Sequence, residues 1–382
     1  MGPRTYRILL GGSVLLLTSS FVVIKSAYEQ VMFSLLAFIL PILVGVWLIP
    51  IIVYSFYHFR EAQRSDKAWL LGLFIGYVMT SLLLWPPQWL LRSTEPLDEV
   101  REELKHEAVI SLMTWNLQRF GDLGKTATLR AKSRAERLSC LEEVLKESKE
   151  VYNQPIELFA FQEVSNRNLK YLEHNLGLIC QHIAYHSLIK SKSGLGLCAS
   201  QAGLWRLNYV RNITLSGQGR WRALFAELSH RDHSTTTFNL LNVHFLPHGI
   251  GAQDLKKAIF SFKNLLNISK EIIQTSNAQY QQAEGLLSVI KNYQDPTLLV
   301  GDFNAPPHAG AHPILAESWD DVWQMVGTTF GATKYFAGLI PYRIDFVYAL
   351  KQSFRLFEAR VYSSSEHCSD HQPLITTLGL PK

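Results

Sequence analysis

Leu298-Leu299-Val300-Gly301-Asp302-Phe303-Asn304 is an apolar run that ends in a carboxylate and an amide two residues apart. A short apolar run closed by turn-forming groups reads as a buried strand. Residues two apart on an extended segment project to the same side. Asp302 and Asn304 are therefore expected to face one place at the end of that strand.

Working outward, the same pattern recurs. Met113-Thr114-Trp115-Asn116 ends in an amide, Leu158-Phe159-Ala160-Phe161-Gln162-Glu163 in a carboxylate, and Leu241-Asn242-Val243-His244 in an imidazole. Arg343-Ile344-Asp345-Phe346-Val347 carries a carboxylate within an apolar strand, and Ser369-Asp370-His371 precedes the last one. Taken singly, an Asp or Asn after a strand is ordinary turn chemistry. Asp345 is different, because a charge in an apolar strand needs a partner. The recurrence of such groups from Asn116 to His371 is what points to a shared site.

The strands expected are Ala108–Trp115, Ile156–Val164, Gly194–Ser200, Ala223–Leu228, Thr236–Phe245, Thr297–Asp302, Ile344–Leu350 and Leu374–Leu378. Apolar residues at helical spacing (Leu138, Leu141, Val144, Leu145) predict a helix over Lys132–Ser148. Two further helical stretches are expected near Asp254–Ile273 and Ala278–Lys291. Strands with helices between them imply an α/β or α+β class, not a helical bundle or a pure sandwich. Neither an internal repeat nor a low-complexity stretch is seen.

The front of the chain is of another kind. Ile8–Ile24, Val31–Phe56 and Ala68–Leu91 hold no charged residue, and about 20 apolar residues suffice to cross a bilayer core. Three transmembrane helices are expected within residues 1–91, then a charged stalk at 92–107 and a catalytic domain at 108–382. Arg4 and Arg7 precede the first run, while Arg60, Arg64 and Lys67 fill the loop between the second and third. The positive-inside tendency places both basic ends in the cytoplasm and the domain outside it.

The 382-residue chain is 47% apolar and 18% charged, with a formal charge of +5. Up to Arg92 there are seven basic and three acidic residues, so the front end carries +4 and the large remainder only +1. A generally basic nucleic-acid-binding domain is not what this distribution implies. Four cysteines (Cys140, Cys180, Cys198, Cys368) show no metal-like spacing. An extracytoplasmic domain allows one or two disulfides, but buried thiols are expected for most of them.

The strand-end groups suit one chemistry. Glu163, Asp370 and Asn116 are hard oxygen donors of the kind Mg²⁺ takes. His244 and His371 can donate to phosphoryl oxygens. Of Asp302 and Asn304, one can orient a water and the other a phosphate oxygen. Asp345 can orient a histidine as the carboxylate of a triad does. A metal, an oriented water and cationic donors are the ingredients of phosphoester hydrolysis. The absence of a P-loop and of zinc-like His or Cys spacing leaves NTPase and zinc hydrolase readings without support.

Gln162-Glu163, Gly301-Asp302-Phe303-Asn304, Arg343-Ile344-Asp345 and Ser369-Asp370-His371 resemble, in this order, the signatures of the endonuclease/exonuclease/phosphatase superfamily. The resemblance runs from about Val109 to Leu380. It implies a DNase I-like four-layer α/β sandwich, with two packed sheets between helices. It also implies that Glu163 is the principal Mg²⁺ ligand (Mn²⁺ being an alternative), helped by Asn116 and Asp370. Asn304 and His244 would then hold the scissile phosphate, and Asp302 would position or deprotonate the attacking water. His371, paired with Asp345, would be the general base or the transition-state stabiliser. Arg222 lies near a strand where some members keep a phosphate-facing arginine, although a solvent-facing one suits the sequence equally. The stretch from His244 to Gly301 is longer than in many members and is expected to reshape the rim that chooses a substrate.

A membrane-anchored, Mg²⁺-dependent phosphoesterase is the function expected. A lipid headgroup or lipid-linked phosphate is favoured as substrate, because tethering raises its effective concentration. A tethered nuclease acting on DNA or RNA is the alternative; it would call for a basic groove. A silent binding scaffold would have lost at least one of Glu163, Asp302, Asn304, Asp370 and His371, and all are present. A transporter is opposed by spans without a charged residue.

Overall fold

Strands rich in Leu, Val, Phe and Ala on both faces need cover on both sides, and the chain supplies it by stacking two sheets and flanking each with helices. The computed structural model describes residues 107–118, 135–146, 155–184, 193–215, 221–249, 262–291, 293, 295–307, 309–327, 331–336, 340–362 and 369–381. The spans expected in 1–91 lie outside these residues, as does the stalk except for Glu107, which opens the first strand. Among the described residues no helix is long and apolar enough to cross a membrane.

Sheet 1 contains β1 (Glu107–Asn116), β2 (Leu158–Ser165), β3 (Leu178–Ala184), β4 (Ser193–Ser200), β13 (Arg355–Val361) and β14 (Leu374–Pro381), in the order β13-β14-β1-β2-β4-β3. Sheet 2 contains β5 (Trp205–Thr214), β6 (Arg222–His230), β7 (Thr237–His244), β8 (Thr297–Asp302), β9 (Trp319–Asp321) and β12 (Asp345–Leu350), in the order β5-β6-β7-β8-β12-β9. A small separate hairpin joins β10 (Lys334–Phe336) to β11 (Ile340–Tyr342). Each large sheet has one parallel pair at its centre, β1 with β2 and β7 with β8, and antiparallel neighbours elsewhere.

The helices are α1 (135–146), α2 (Asn166–Leu176), α3 (Phe262–Ile290), α4 (His312–Leu315) and α5 (Val322–Val326). Alternation along the strands divides the apolar residues among three cores. Ile110, Leu112, Leu158, Leu195, Leu197, Leu240, Leu298 and Val300 meet between the sheets. Met113, Trp115, Phe159 and Phe161 point the other way, onto Leu138 and Leu141 of α1 and Leu169 and Leu172 of α2. Phe225, Leu241, Val243 and Leu299 pack on Ala283 and Leu286 of α3. The result is the four-layer α/β sandwich, helix on sheet on sheet on helix. Each fully buried Leu or Phe contributes about 1.5–3 kcal/mol relative to exposure.

Two expectations are corrected. The helical stretches near Asp254–Ile273 and Ala278–Lys291 are, from Phe262 onward, one continuous helix of 29 residues. The residues between the two stretches, 274–277, are helical, with Thr275 and Ser276 buried, and glutamines just beyond them also face inward. Gln279 Nε2 donates to the carbonyl of Leu246 at 2.7 Å, and Gln282 Oε1 accepts from Leu246 N at 3.1 Å. The second correction concerns the thiols. Cys180 and Cys198 stand opposite one another across β3 and β4 and form a disulfide. Cys140 is disulfide-bonded too, and none of the described cysteines is free. Direct register across an antiparallel pair brings two cysteines within bonding reach, which spacing along the chain does not reveal.

Candidate active site

Strand pairing alone assembles most of the site. The parallel pair of sheet 1 ends with Asn116 opposite Gln162, and that of sheet 2 ends with His244 opposite Asp302. On the other side of β8, Asp345 is in register with Asp302. Both pairs finish at the carboxyl ends of parallel strands, where α/β sheets open a crevice. A buried polar clip aligns the two ends. Gln162 Nε2 donates to Asn242 Oδ1 at 2.7 Å, and Asn242 Nδ2 donates to the carbonyls of Phe161 and Gly196, both at 2.9 Å.

Local backbone distortions then aim particular side chains. The pairing of β2 with β4 slips between Phe161 and Val164, and Glu163 within that bulge has φ +53°. Bulges re-aim side chains beside active sites, and a non-glycine residue held at positive φ stores strain that its surroundings must sustain. Asn304 is a second such residue, at φ +50°. Gly301 has φ +135°, and a Cβ there would lie 2.0 Å from the carbonyl oxygen of Val243. Only glycine lets β8 run this close to β7 just before Asp302.

Asp302 is the hub. Its Oδ2 accepts from Asn116 Nδ2 at 2.9 Å and lies 3.4 Å from His244 Nε2 and 3.7 Å from His371 Nε2. Its Oδ1 accepts from Asn304 N at 2.8 Å, while Asn304 Nδ2 donates to the carbonyl of Phe245 at 3.0 Å. Gln279 of α3 reaches the carbonyls of Phe303 and Asn304, each at 3.3 Å. The long segment between His244 and Gly301 therefore supports the loops that follow both strands of the parallel pair. Asn116 Nδ2 also approaches Glu163 Oε1 at 3.4 Å, and its Oδ1 accepts from Gln118 N.

His371 is carried by the chain that leads into β14 and is fixed from both sheets. Trp115 Nε1 donates to its carbonyl at 2.9 Å, and the Ser369 hydroxyl donates to the carbonyl of Asn116 at 2.6 Å. On the other side its Nδ1 lies 2.8 Å from Asp345 Oδ2. Asp345 is held in turn through its backbone N–H, which donates to Thr333 Oγ1 at 3.1 Å.

Two residues outside the sequence reading enter here. Lys334 Nζ sits 2.9 Å from His371 Nε2 and 3.0 Å from Asp370 Oδ2. Arg137, on the first turn of α1, donates to the carbonyl of Leu117 at 2.6 Å and to Gln118 Oε1 at 3.3 Å, within the fields of Asp370 and Glu163. A third, Trp221, packs edge-on against His244 at 5.7 Å. Arg222 opens β6, half-buried, with no hydrogen bond or ion pair to these groups among the described residues. The signal for Lys334 was weak, a lone charge beside Tyr335 and Phe336 in a stretch too short and irregular to read as a strand.

Electrostatics separates the two buried aspartates. Burial pushes Asp302 up, but His371, His244, Asn116 and Lys334 together hold its carboxyl below the usual range. Asp345 goes the other way: burial and the charge of Asp302 raise it against His371 and Thr333. Burial lowers His371, and Asp345 and Asp302 overcome that to bring it to about 9, with Lys334 opposing. Lys334 itself is lowered by burial and raised, on balance, by Asp370 and Asp302.

Two donor sets suit a metal ion. Asp302, Asp345 and His371 offer ligand atoms within 4.8 Å of one another, but much of that set is engaged internally: His371 with Asp345, and Asp302 with Asn116 and Asn304. Glu163 and Asp370 are less buried and offer the hard oxygens that Mg²⁺ and similar cations take. With His371 charged beside its two aspartates, four carboxylates (Glu163, Asp302, Asp345, Asp370) still outnumber the cations Lys334, Arg137 and His371. That excess of negative charge, and the accessible hard oxygens of Glu163 and Asp370, suit a divalent ion, so the residues present fit the group.

The comparisons agree with this architecture. The model of the "Endonuclease/Exonuclease/phosphatase family" matches residues 113–371, a span that contains all eight residues from Asn116 to His371 named above. An endonuclease/exonuclease/phosphatase from Bacteroides vulgatus superimposes with a TM-score of 0.55 at 15% identity, over 72% of this chain and 100% of its own. The human Nocturnin catalytic domain with bound sulfate gives 0.50 at 16%, over 71% and 94%. A Bacteroides thetaiotaomicron mannosyl-6-phosphatase gives 0.50 at 14%, over 70% and 99%. No curated protein matches the chain in sequence. At such identities the structures speak for the fold, and the family model speaks for descent: the chain belongs to the endonuclease/exonuclease/phosphatase family and is a metal-dependent hydrolase of phosphoester bonds.

Proposed function

We propose that the chain is a membrane-anchored, Mg²⁺-dependent phosphoesterase that acts on a lipid headgroup or lipid-linked phosphate outside the cytoplasm. The observation that carries the hydrolytic part is the setting of Asp302, with Asn116 at 2.9 Å, His244 at 3.4 Å and His371 at 3.7 Å from one carboxylate oxygen. A carboxylate kept ionised among hydrogen-bond donors is suited to orienting a water molecule. Glu163 and Asp370, with Asn116 beside them, would hold Mg²⁺, which when bound polarises a phosphoryl oxygen and offsets charge.

The chain's own groups divide the remaining work. His244 and Asn304 flank Asp302 and orient the phosphoryl group. Asp345 fixes the His371 ring through Nδ1, which leaves Nε2 toward Asp302 and the substrate. His371 then stabilises charge that develops on the phosphoryl oxygens, and Asp302 positions the attacking water.

Three features support the choice of substrate and compartment. The charge-free runs of residues 8–91 are long enough for spans. The net charge beyond Arg92 is only +1, which gives little attraction for a polyanion. The Cys180–Cys198 disulfide suits an oxidising compartment.

The deciding experiment offers the full chain, purified in detergent with Mg²⁺, a panel of DNA, RNA, phosphoinositides, sphingomyelin and polyprenyl phosphates. Turnover of a lipid phosphoester, abolished by Glu163→Ala and by His371→Ala, is the expected result. Turnover of DNA or RNA alone would replace the lipid reading with the nuclease one. An unchanged rate in both variants would remove the assignment of the site. A reporter active only outside the cytoplasm, fused after Lys382, should be active; a silent but well-expressed fusion would reverse the orientation.

A further inference from the structure

Lys334 is fixed more firmly than a surface lysine would be. Its backbone forms an isolated antiparallel bridge with His371, and Gln372 N donates to the carbonyl of Thr333 at 2.6 Å. The Thr333 hydroxyl oxygen accepts from Ile344 N and Asp345 N, both at 3.1 Å. The backbone at 333–334 is thereby tied to both members of the Asp345–His371 pair. This anchoring brings the ammonium group to the mouth of the site.

The partners of that ammonium set it apart from the other nearby cation. Arg137 spends its guanidinium on the Leu117 carbonyl and the Gln118 side chain, neither of which takes part in the chemistry. Lys334 has two hydrogen-bonding or ionic partners among the described residues, Asp370 Oδ2 and His371 Nε2. On the phosphoesterase reading above, on which this inference rests, Asp370 turns to the metal and Nε2 turns to the substrate. Asp370 is then drawn away and Nε2 serves as a donor to the substrate, so neither accepts from Nζ, while the backbone keeps the lysine where it is. An ammonium with three protons, one third exposed at the mouth of the site, is then left to water or to an anion that the site admits.

We propose that Lys334 is a catalytic residue whose ammonium donates to a non-bridging oxygen of the substrate's phosphoryl group, beside His244 and Asn304. It supplies a fixed positive charge where the transferring phosphoryl group gathers negative charge, the kind of group whose removal typically lowers kcat by about 10²–10³-fold. Lysine serves this purpose as a compact point charge, and arginine substitutes for it incompletely.

The test uses the full chain in detergent with Mg²⁺, comparing wild type with Lys334→Met and Lys334→Arg. Inorganic phosphate binding and Mg²⁺ binding are each measured by calorimetry, and kcat and KM on p-nitrophenyl phosphate and bis(p-nitrophenyl) phosphate. Lys334→Met is expected to weaken phosphate binding at least about tenfold and to lower kcat about 10²-fold or more. Mg²⁺ affinity should stay unchanged or tighten, since a competitor for Asp370 has gone. Lys334→Arg should recover part of both losses. Phosphate affinity in Lys334→Met within twofold of wild type would overturn the proposal. So would a loss of Mg²⁺ affinity as large as the loss for phosphate, which would mark a purely supporting role. If Lys334→Met does not fold, Lys334→Gln against Lys334→Arg provides the same contrast. A wild type that binds phosphate through Lys334 but hydrolyses neither ester would sink the reaction assignment and leave the anion contact standing; a wild type that binds no phosphate sinks the contact.

Discussion

The two large sheets are wired alike and finish differently. Read across β13-β14-β1-β2-β4-β3 and across β5-β6-β7-β8-β12-β9, the pairings run antiparallel, antiparallel, parallel, antiparallel, antiparallel in both. Each central parallel pair delivers its last residues to the same crevice. On sheet 1 a bulge swings Glu163 out to a half-buried position in the field of Arg137, which also feels the exposed Asp370, and there water and a hydrated cation have access. On sheet 2 the pairings of β8 with β7 and β12 keep an unbroken register, and His244, Asp302 and Asp345 end 4%, 1% and 0% exposed. Matching frames thus offer two degrees of hydration, and hydration sorts the chemistry. The wetter end suits metal coordination, while the drier end suits a fixed set of proton-sharing groups whose charges persist because they are paired.

The comparison breaks most sharply at Asp345. Asp345→Asn keeps the shape of the drier end but removes the charge that fixes the His371 ring. A kcat loss of about 10³–10⁴-fold is expected, as for the orienting carboxylate of a triad, with KM little changed. His371→Ala should cost about as much, and the double variant no more than either, because the pair acts as a unit. Steady-state kinetics at saturating Mg²⁺ provides the check; a kcat within tenfold of wild type would make the pair merely structural.

At the wetter end the expected loss is smaller and has a different remedy. Glu163→Gln should weaken Mg²⁺ binding and lower activity about 10²-fold at a fixed metal concentration, with excess Mg²⁺ restoring part of it. No amount of Mg²⁺ should rescue Asp345→Asn. A chelator should abolish wild-type activity while shifting the melting temperature little, since the three apolar cores are built from side chains other than these carboxylates. Metal titrations of both variants by calorimetry and by rate decide the matter, and equal rescue of the two would erase the distinction between the sheet ends.

The parts of this frame that the sequence disclosed follow one physical rule. All eight interior strands (β1, β2, β4, β6, β7, β8, β12 and β14) were read from apolar runs, because strands covered on both faces must be apolar throughout. The four edge strands, β3, β5, β9 and β13, were missed. β5 alternates exposed and half-buried residues such as Arg206, Asn208 and Arg211, and β13 is mostly half-buried. An edge has one free side, so its composition resembles that of a loop. The site divides similarly. Residues at the ends of interior strands stood out as polar groups in apolar company. Lys334 and Arg137 did not, because each sits on a short or amphipathic element where a cation is unremarkable, and only the fold brings them to Asp370.

A third difference separates glycines that face backbone from those that face side chains, and sheet 1 holds both kinds, since a Cβ at Gly194 would lie 1.9 Å from the Ile183 carbonyl oxygen. In sheet 2, a Cβ at Gly301 would stand 2.0 Å from the Val243 carbonyl oxygen, at φ +135°. That clash is with backbone, and relieving it would part β7 from β8. Gly301→Ala should destabilise the protein by about 3–5 kcal/mol. In sheet 1, a Cβ at Gly196 would meet Leu169 Cδ1 at 2.7 Å, the end of a side chain that can turn aside. Gly196→Ala should cost about 1–2 kcal/mol. Urea unfolding measures both, and a reversed order would mean that the β7–β8 pair yields more readily than the Leu169 side chain.

The smallest expected effect is the most direct measure of how the two ends are kept in step. Gln162 and Asn242 are wholly buried and bond to each other across the sheets at 2.7 Å, one of three hydrogen bonds that Asn242 makes to sheet 1, with Gln162 in register with Asn116 and adjacent to Glu163. Gln162→Leu strands the Asn242 oxygen and should cost about 1–3 kcal/mol. Asn242→Leu leaves Gln162 Nε2 with Thr114 Oγ1 and the Ala160 carbonyl but takes a donor from the carbonyls of Phe161 and Gly196, so it should cost a similar amount, about 1–3 kcal/mol. The double variant removes both halves of the bond, and the cycle should close with a coupling of about 0.5–2 kcal/mol. If the clip also aligns the ends, Gln162→Leu should lower kcat by roughly tenfold, since a misplacement of about 1 Å can cost up to 10²-fold. A stability loss with full activity would mean that the sheets are joined here but that the bulge at Glu163 sets its own position. A loss of activity that tracks the coupling would place the alignment of the wetter and drier ends in this one pair of amides.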